Sequence, residues 1–161
     1  MNSNEQLIEE FYSGFAAGNS TTMCSCYHPE VVFRDPVFGV LEANDVKDMW
    51  QMLLEKSHGL LHIKFSNVIS EDIHGSADWT ADYVFSSTRR RIINNIHAEF
   101  EFKDGLIYRH VDQFNLYNWS KQALGLKGIL LGWTPFFKKK LQQQALQSLR
   151  SYQRKKEKDL N

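Results

Sequence analysis

Cysteine is nearly missing from this chain: Cys24 and Cys26 are the only two in 161 residues. That is too few for a disulfide framework, and their spacing is too close for paired zinc knuckles, so they read as core thiols of a protein in a reducing compartment. Long apolar runs are missing as well. No stretch approaches the ~20 apolar residues of a membrane span, and the first twenty residues hold no secretory-type run, so the expectation is a cytoplasmic protein without membrane contact. A Gly-rich phosphate loop and a Gly-x-Ser-x-Gly elbow are both absent. His58 and His62 straddle a glycine helix stop and cannot share one helical face as zinc ligands. Neither metal nor cofactor is expected.

An excess of one charge is also lacking, since 19 lysines and arginines balance 19 aspartates and glutamates. The balance is uneven along the chain: 8 basic and 2 acidic residues lie in 138–161. Basic residues near a helix C-terminus suit the helix dipole and keep a surface solvated. No aromatics alternate with the charges at its end, so contact with nucleic acid or anionic lipid is not expected.

What is present is periodic. Ile8, Phe11, Tyr12 and Phe15 follow helical spacing over 4–17, and Gly18-Asn19 ends the run. Ser20-Thr21-Thr22 caps a second short helix to about Tyr27, and Pro29 leads into the extended VVFRD. Val46, Met49, Trp50, Leu53 and Leu54 mark a helix over 45–57 with Asn44 as N-cap. From Leu60 to Leu116 apolar residues alternate: Leu61, Ile63, Phe65; Ala77, Trp79, Ala81, Tyr83, Phe85; Ile96, Ala98, Phe100, Phe102; His110, Asp112, Phe114. Turns are expected at His74-Gly75 and Asp104-Gly105, with a solvated tip over Ser86–Arg91. After Trp119 comes a glycine-punctuated segment, GLKGILLGWTP, and then an apolar stripe of Phe137, Leu141, Ala145, Leu149 and Tyr152 on a C-terminal helix. Gly125, Gly128 and Gly132 let the preceding segment fold back and bring Trp133 towards the pocket mouth.

Helices followed by strands predict an α+β fold: a curved antiparallel sheet wrapped around the N-terminal helices as a cone-shaped barrel with an internal pocket, plus a C-terminal helical extension. The expected division is 1–118 for the cone and 119–161 for an extension packed on the same domain.

The chemistry centres on FRDPVFG, residues 33–39. Asp-Pro initiates turns, so Asp35 has one reading as a turn residue accepting backbone N–H groups. The other is a pocket carboxylate amid Phe33, Val37 and Phe38, whose pKa desolvation raises into the range useful to a general base. His110 and Asp112 share a strand face, which suits a proton-shuttling histidine oriented by a carboxylate, or a satisfied polar pair at the sheet rim. Asn94 shares a face with Ile96, Ala98 and Phe100 and has an amide to offer a substrate oxygen. Trp50, Trp79, Tyr83, Phe100 and Phe114 read as core and pocket lining.

The element order and the DPVFG stretch resemble the nuclear transport factor 2-like superfamily over roughly 4–118, in its ketosteroid isomerase and SnoaL-like polyketide cyclase branches. In ketosteroid isomerases the general-base aspartate stands in a similar Asp-Pro-aromatic-Gly setting, which implies that role for Asp35. Tyr12 matches the tyrosine that donates to the developing oxyanion. KDGLIYRHVDQF resembles the last hairpin of SnoaL-like domains, which implies a cavity side carrying His110, Asp112 and Phe114. One position departs: counting back from Phe102, Ala98 (or His97, if a bulge shifts the register) stands where ketosteroid isomerases carry a second, protonated acid. The resemblance implies a cofactor-free isomerase or cyclase acting on a small hydrophobic molecule. Epoxide-type hydration and a non-catalytic binding module are the alternatives. Relatives often pair through the outer sheet face, so a homodimer is expected, with no nucleic-acid partner.

Overall fold

A computed structural model describes residues 2–159. Its elements run α1 (Ser3–Ala16), α2 (Ser20–Ser25), β1 (Tyr27–Asp35), β2 (Gly39–Glu42), α3 (Asn44–Ser57), β3 (His62–Glu71), β4 (His74–Phe85), β5 (Arg90–Lys103), β6 (Leu106–Gln113), α4 (Leu116–Leu124), α5 (Leu126–Leu131) and α6 (Pro135–Asp159). The six strands form one curved, unclosed sheet in the order β2-β1-β6-β5-β4-β3. All neighbours are antiparallel except β1 and β6, which run parallel.

The alternation in β4 to β6 decides which face turns inward. Ala77, Trp79 and Ala81 of β4, Ile96, Ala98 and Phe100 of β5, and His110 and Asp112 of β6 are buried at the period of two; Ile107, also buried, is out of step by one residue because the β5–β6 pairing shifts register between Glu101 and Phe102. Against this face α1 lays Ile8, Phe11, Tyr12 and Phe15, and α3 lays Val46, Met49 and Trp50. α1 is closed at its start by a capping box in which Asn2 and Glu5 satisfy each other's backbone N–H groups.

Several local expectations shift. The α3 cap is Ala43, not Asn44; its N–H donates to the Val31 carbonyl at 2.8 Å, and it has φ 48° with no side-chain cap. That bond to β1 sets where the helix begins. The β3–β4 turn falls at Asp72-Ile73, with Asp72 at φ 50°. Gly75 lies inside β4, where a Cβ would come within 3.0 Å of Ile8 and Phe102; it serves close packing with α1. Asp104-Gly105 is a turn as expected, both residues having positive φ. The arginines at the 86–91 bend are not simply solvated. Arg91 forks onto Asp82 at 2.8 and 2.6 Å, and Arg90 donates to the Gln122 carbonyl at 2.7 Å. In β3, Asn67 adopts φ 53° where the pairing with β4 shifts register between Ser66 and Ile69.

The C-terminal stripe is buried where its period places it. Leu149 is fully inside the main core, with Ala145, Leu146 and Tyr152 partly buried around it. A polar clasp holds α6 to α3: Arg150 bonds both oxygens of Asp45 at 3.0 Å, Gln153 reaches Asp45 and Asp48, Lys156 reaches Asp48, and the Tyr152 hydroxyl donates to Glu55. Earlier in α6, Gln142 donates to the Phe38 carbonyl, placing the helix over the 36–39 turn. Trp133 does not turn inward. It is 69% exposed and its indole donates to the Leu130 carbonyl. Gly128 and Gly132 explain this: a Cβ on either would collide with Ser120 of α4. The glycine side of α5 therefore faces the protein and the side chains point away.

Candidate functional site

Asp35 closes β1, and its two sequence readings turn out to be compatible. Its Oδ1 accepts from the backbone N–H of Val37 at 3.0 Å and of Phe38 at 2.6 Å, the Asx turn expected of Asp-Pro. The residue keeps partial surface contact, yet burial of its carboxyl pushes the pKa up to about 7 against the lowering effect of those N–H groups, and the Asp112 charge adds to the rise.

Asp112 reaches the same place from the next strand. Phe33 pairs with His110, and Arg34 with Val111, so the parallel register carries Asp35 and Asp112 onto neighbouring inward positions of strands about 4.8 Å apart. Asp112 is 4% exposed. It also sits directly across from Ala98 in the β5–β6 pairing. A carboxyl is thus present beside the alanine, supplied by the adjacent strand.

Behind Asp112 runs a buried hydrogen-bond chain. The Trp50 indole donates to the Tyr27 hydroxyl at 2.9 Å, the Tyr27 hydroxyl lies 2.7 Å from His110 Nδ1, and His110 Nε2 lies 3.0 Å from Asp112 Oδ1. The Trp79 indole donates to that same oxygen at 3.2 Å. An indole N–H only donates, so Tyr27 accepts from Trp50 and has its own proton for Nδ1; His110 then carries its proton on Nε2 and donates to Asp112. Both ring nitrogens of His110 are occupied, and the residue is completely buried. Asp112 Oδ2 has no hydrogen-bond partner among the described residues.

Tyr27 escaped the sequence reading because it looks like the end of α2 rather than the start of β1; its only signal is inward parity with Val31 and Phe33. Tyr27→Phe leaves the Trp50 indole and His110 Nδ1 buried without partners, so a loss of roughly 2–4 kcal/mol is expected, read as a lowered midpoint in urea.

Tyr12 presents the opposite case. It is fully buried, stacked on Phe65 with centroids 5.4 Å apart, and its hydroxyl has no hydrogen-bond partner. Burial, and after it the Asp112 charge, push its pKa well above the ordinary tyrosine value. It remains a neutral donor.

The other expected lining residues divide. Phe33, Phe38, Trp50, Trp79 and Phe100 belong to the main core. Trp50 stacks on His110 and Trp79 spends its indole N–H on Asp112. Tyr83 and Phe114 bridge to a second small cluster around Ile92, Trp119 and Ala123, where the Tyr83 hydroxyl accepts from Trp119. Asn94 is half-buried on the inner face, opposite Ala81, with no side-chain hydrogen bond among the described residues. The prominent hollows lie elsewhere; one of about 740 Å³ is on the outer sheet face between Glu71, Ser76, His97, Glu99 and Arg109. Of the thiols, Cys26 is buried and Cys24 half-buried. No group of three His, Cys, Asp or Glu side chains able to hold a metal occurs among the described residues, and no helix there is long and apolar enough to cross a membrane.

A six-stranded sheet curved around N-terminal helices defines a class, and residues 8–110 match the model of the SnoaL-like domain. The chain belongs to the SnoaL-like domain family. Among solved structures it is similar to TerC co-crystallised with polyporic acid, at 15% identity over 76% of this chain and 98% of that one, TM-score 0.66. It is also similar to a putative polyketide cyclase from Pseudomonas putida, at 16% identity over 76% and 98%, TM-score 0.60. A protein of ketosteroid isomerase-like fold from Catenulispora acidiphila, in complex with trimethylamine, matches at 10% identity over 80% and 97%, TM-score 0.62. No protein of curated function matches the chain. At these identities the likeness is one of fold, and α4 to α6 lie beyond the matched domain.

Proposed function

We propose that this chain is a cofactor-independent enzyme of isomerase or cyclase type, acting on a small, largely apolar carbonyl compound. Asp35 removes the proton beside the carbonyl, and Tyr12 donates to the oxygen as it gains charge. What supports this reading is that a carboxyl whose pKa is raised to about 7 and a buried hydroxyl donor with no partner of its own both lie within reach of the Asp112 charge. An unsatisfied buried donor costs about 1–3 kcal/mol, and a substrate oxygen recovers it. Asp112, beside Ala98, adds a second carboxyl to the oxygen site. His110 and Tyr27 act as positioning residues, which reverses the expected roles: the histidine orients the carboxylate. With both its nitrogens engaged, His110 has no free edge for activating water, which sets hydration chemistry behind proton abstraction. The ligand space this reading requires is the Asp35 end of the inner face, near Phe33, Phe38 and Phe100 and the turn that Gln142 of α6 reaches, with Asn94 towards the other end of that face.

The test is deuterium incorporation beside the carbonyl of a panel of apolar cyclic ketones in heavy water, followed by mass spectrometry. Enzyme-dependent exchange supports the proposal. Tight retention of a ketone with no exchange above buffer rate identifies a binding module instead. Tyr12→Phe separates the oxygen donor from the fold: exchange is expected to fall about 10²–10³-fold, while thermal stability holds or rises because a buried unpartnered hydroxyl is gone.

We also propose a homodimer through the outer sheet face, which carries Thr80, Val84 and Glu99; Glu99 lines the hollow described above and Val84 is 50% exposed. Sedimentation equilibrium is expected to give twice the chain mass; a monomer at tens of micromolar would refute the pairing.

A further inference from the structure

The segment linking the sheet to the C-terminal helix carries its large side chains on the outside. Leu126, Ile129, Leu130, Leu131, Trp133 and Phe136 are all exposed, Phe136 to 77%. This is not loose packing. Gly128 and Gly132 are buried against Ser120 with no room for a Cβ, so the side of α5 that meets the protein is glycine and the side that meets solvent is leucine and isoleucine. A surface helix ordinarily has the reverse arrangement.

The charge around this patch has one sign. From Gln113 to Lys156 there is no aspartate or glutamate in 44 residues, against nine lysines and arginines. Lys127, Lys138, Lys139 and Lys140 are exposed and make no ion pair among the described residues. Phe136, Lys139 and Lys140 fall at i, i+3 and i+4, on one face of the start of α6, four residues after α5 ends. Trp133 lies between the aliphatic cluster and the lysines.

We infer that residues 126–140 form a peripheral membrane-docking surface, with the α5 side chains entering the headgroup–acyl boundary of an anionic bilayer and Lys127 and Lys138–Lys140 meeting its phosphates. Interfacial anchors combine an exposed apolar face, lysine and tryptophan in this way. The alternatives fit less well. A second copy related by a twofold axis would bring the same four lysines against each other, and a nucleic acid offers nothing to cover six aliphatic and aromatic side chains. The bare sequence pointed away from membranes because the charges at the chain's end lack interleaved aromatics; the structure moves the relevant charges to 127–140, where the aromatics are.

The inference is independent of the catalytic proposal and is tested on the full chain by flotation with phosphatidylcholine vesicles, with and without phosphatidylglycerol. Binding is expected only where phosphatidylglycerol is present and is expected to weaken with added salt. Lys138→Gln, Lys139→Gln and Lys140→Gln together should weaken it about a hundredfold, from the per-lysine attraction at an anionic surface. Leu130→Ser with Trp133→Ser should abolish it, and circular dichroism is expected to show an unchanged fold because both positions are exposed. No binding to either vesicle overturns the inference, as does equal binding to both. A vesicle-free self-association that Leu130→Ser with Trp133→Ser removes also overturns it, assigning the patch to contact between copies.

Discussion

Asp35→Asn is expected to lower ketone deuterium exchange by about 10²–10⁴-fold, the contribution of a positioned general base, and at the same time to stabilise the protein above pH 7. The asparagine carbonyl still accepts from Val37 and Phe38, so the turn survives. The sign of the stability change follows from proton linkage. Below about pH 4 the carboxyl is protonated in both folded and unfolded chains, and the native state keeps the full benefit of a neutral buried group. Between its ordinary value of 3.8 and about 7, the unfolded chain has released the proton and the native chain still holds it, so stability falls as pH rises. Above about 7 the loss is complete. Each pKa unit is worth about 1.4 kcal/mol, so on the order of 2–4 kcal/mol is at stake, the lower figure allowing for the solvent contact Asp35 keeps. Thermal midpoints of the two proteins should converge near pH 4 and diverge towards pH 8. Activity within tenfold of the parent would end the assignment of Asp35 as base, and equal midpoints at pH 8 would show that its carboxyl is not held near neutrality.

Truncation after Thr134 is expected to lower the thermal midpoint by about 10 °C or more. It removes Leu149, completely enclosed in the main core, with Ala145, Leu146 and Tyr152 packed on that core and Leu141 packed on the Ile92, Trp119 and Ala123 cluster. At ~1.5–3 kcal/mol for a fully buried leucine and fractions of that for the others, the loss reaches on the order of 4–6 kcal/mol, and a chain of this size shifts by ~2–4 °C per kcal/mol. Gln142 also leaves the turn beside Asp35, so water reaches the carboxyl and its NMR titration midpoint should move down towards the ordinary range. A midpoint shift of only a degree or two would mean that α6 rides on the domain without supporting it.

The elements with long, regular apolar spacing were legible in the sequence: α1, α3, α6 and the strands β4 to β6 each repeat their pattern several times. β2 was not, because GVLE offers four residues directly behind a turn signal, too short for alternation to show. α5 was hidden for the opposite reason. Its leucines suggest burial, but its glycines occupy the packed side. His74-Gly75 looked like a turn because glycine usually marks one, whereas Gly75 is small to admit Ile8 and Phe102. Of the proposed site, Asp35 was singled out by its Asp-Pro-Val-Phe-Gly setting and Tyr12 by the family resemblance. Asp112 was named from its strand face, but its place across from Ala98 could not be, since that depends on which residue of β6 lies across from β5, and register between strands is a tertiary property.

An unclosed sheet leaves two strands with one unpaired side each, and such edges template pairing with other chains. Here each edge is spoiled by a different device. β2 is only four residues long, too short to seed a ladder. β3 is ten residues long and half of it is regular, but the left-handed Asn67 and the register shift beside it interrupt the row of outward N–H and C=O groups midway. Lys64 stands exposed just before that interruption. A bulge with a nearby lysine resists strand addition, so the irregularity in β3 acts against aggregation: replacing Asn67 with a β-branched residue that favours a straight ladder would expose a longer adhesive edge.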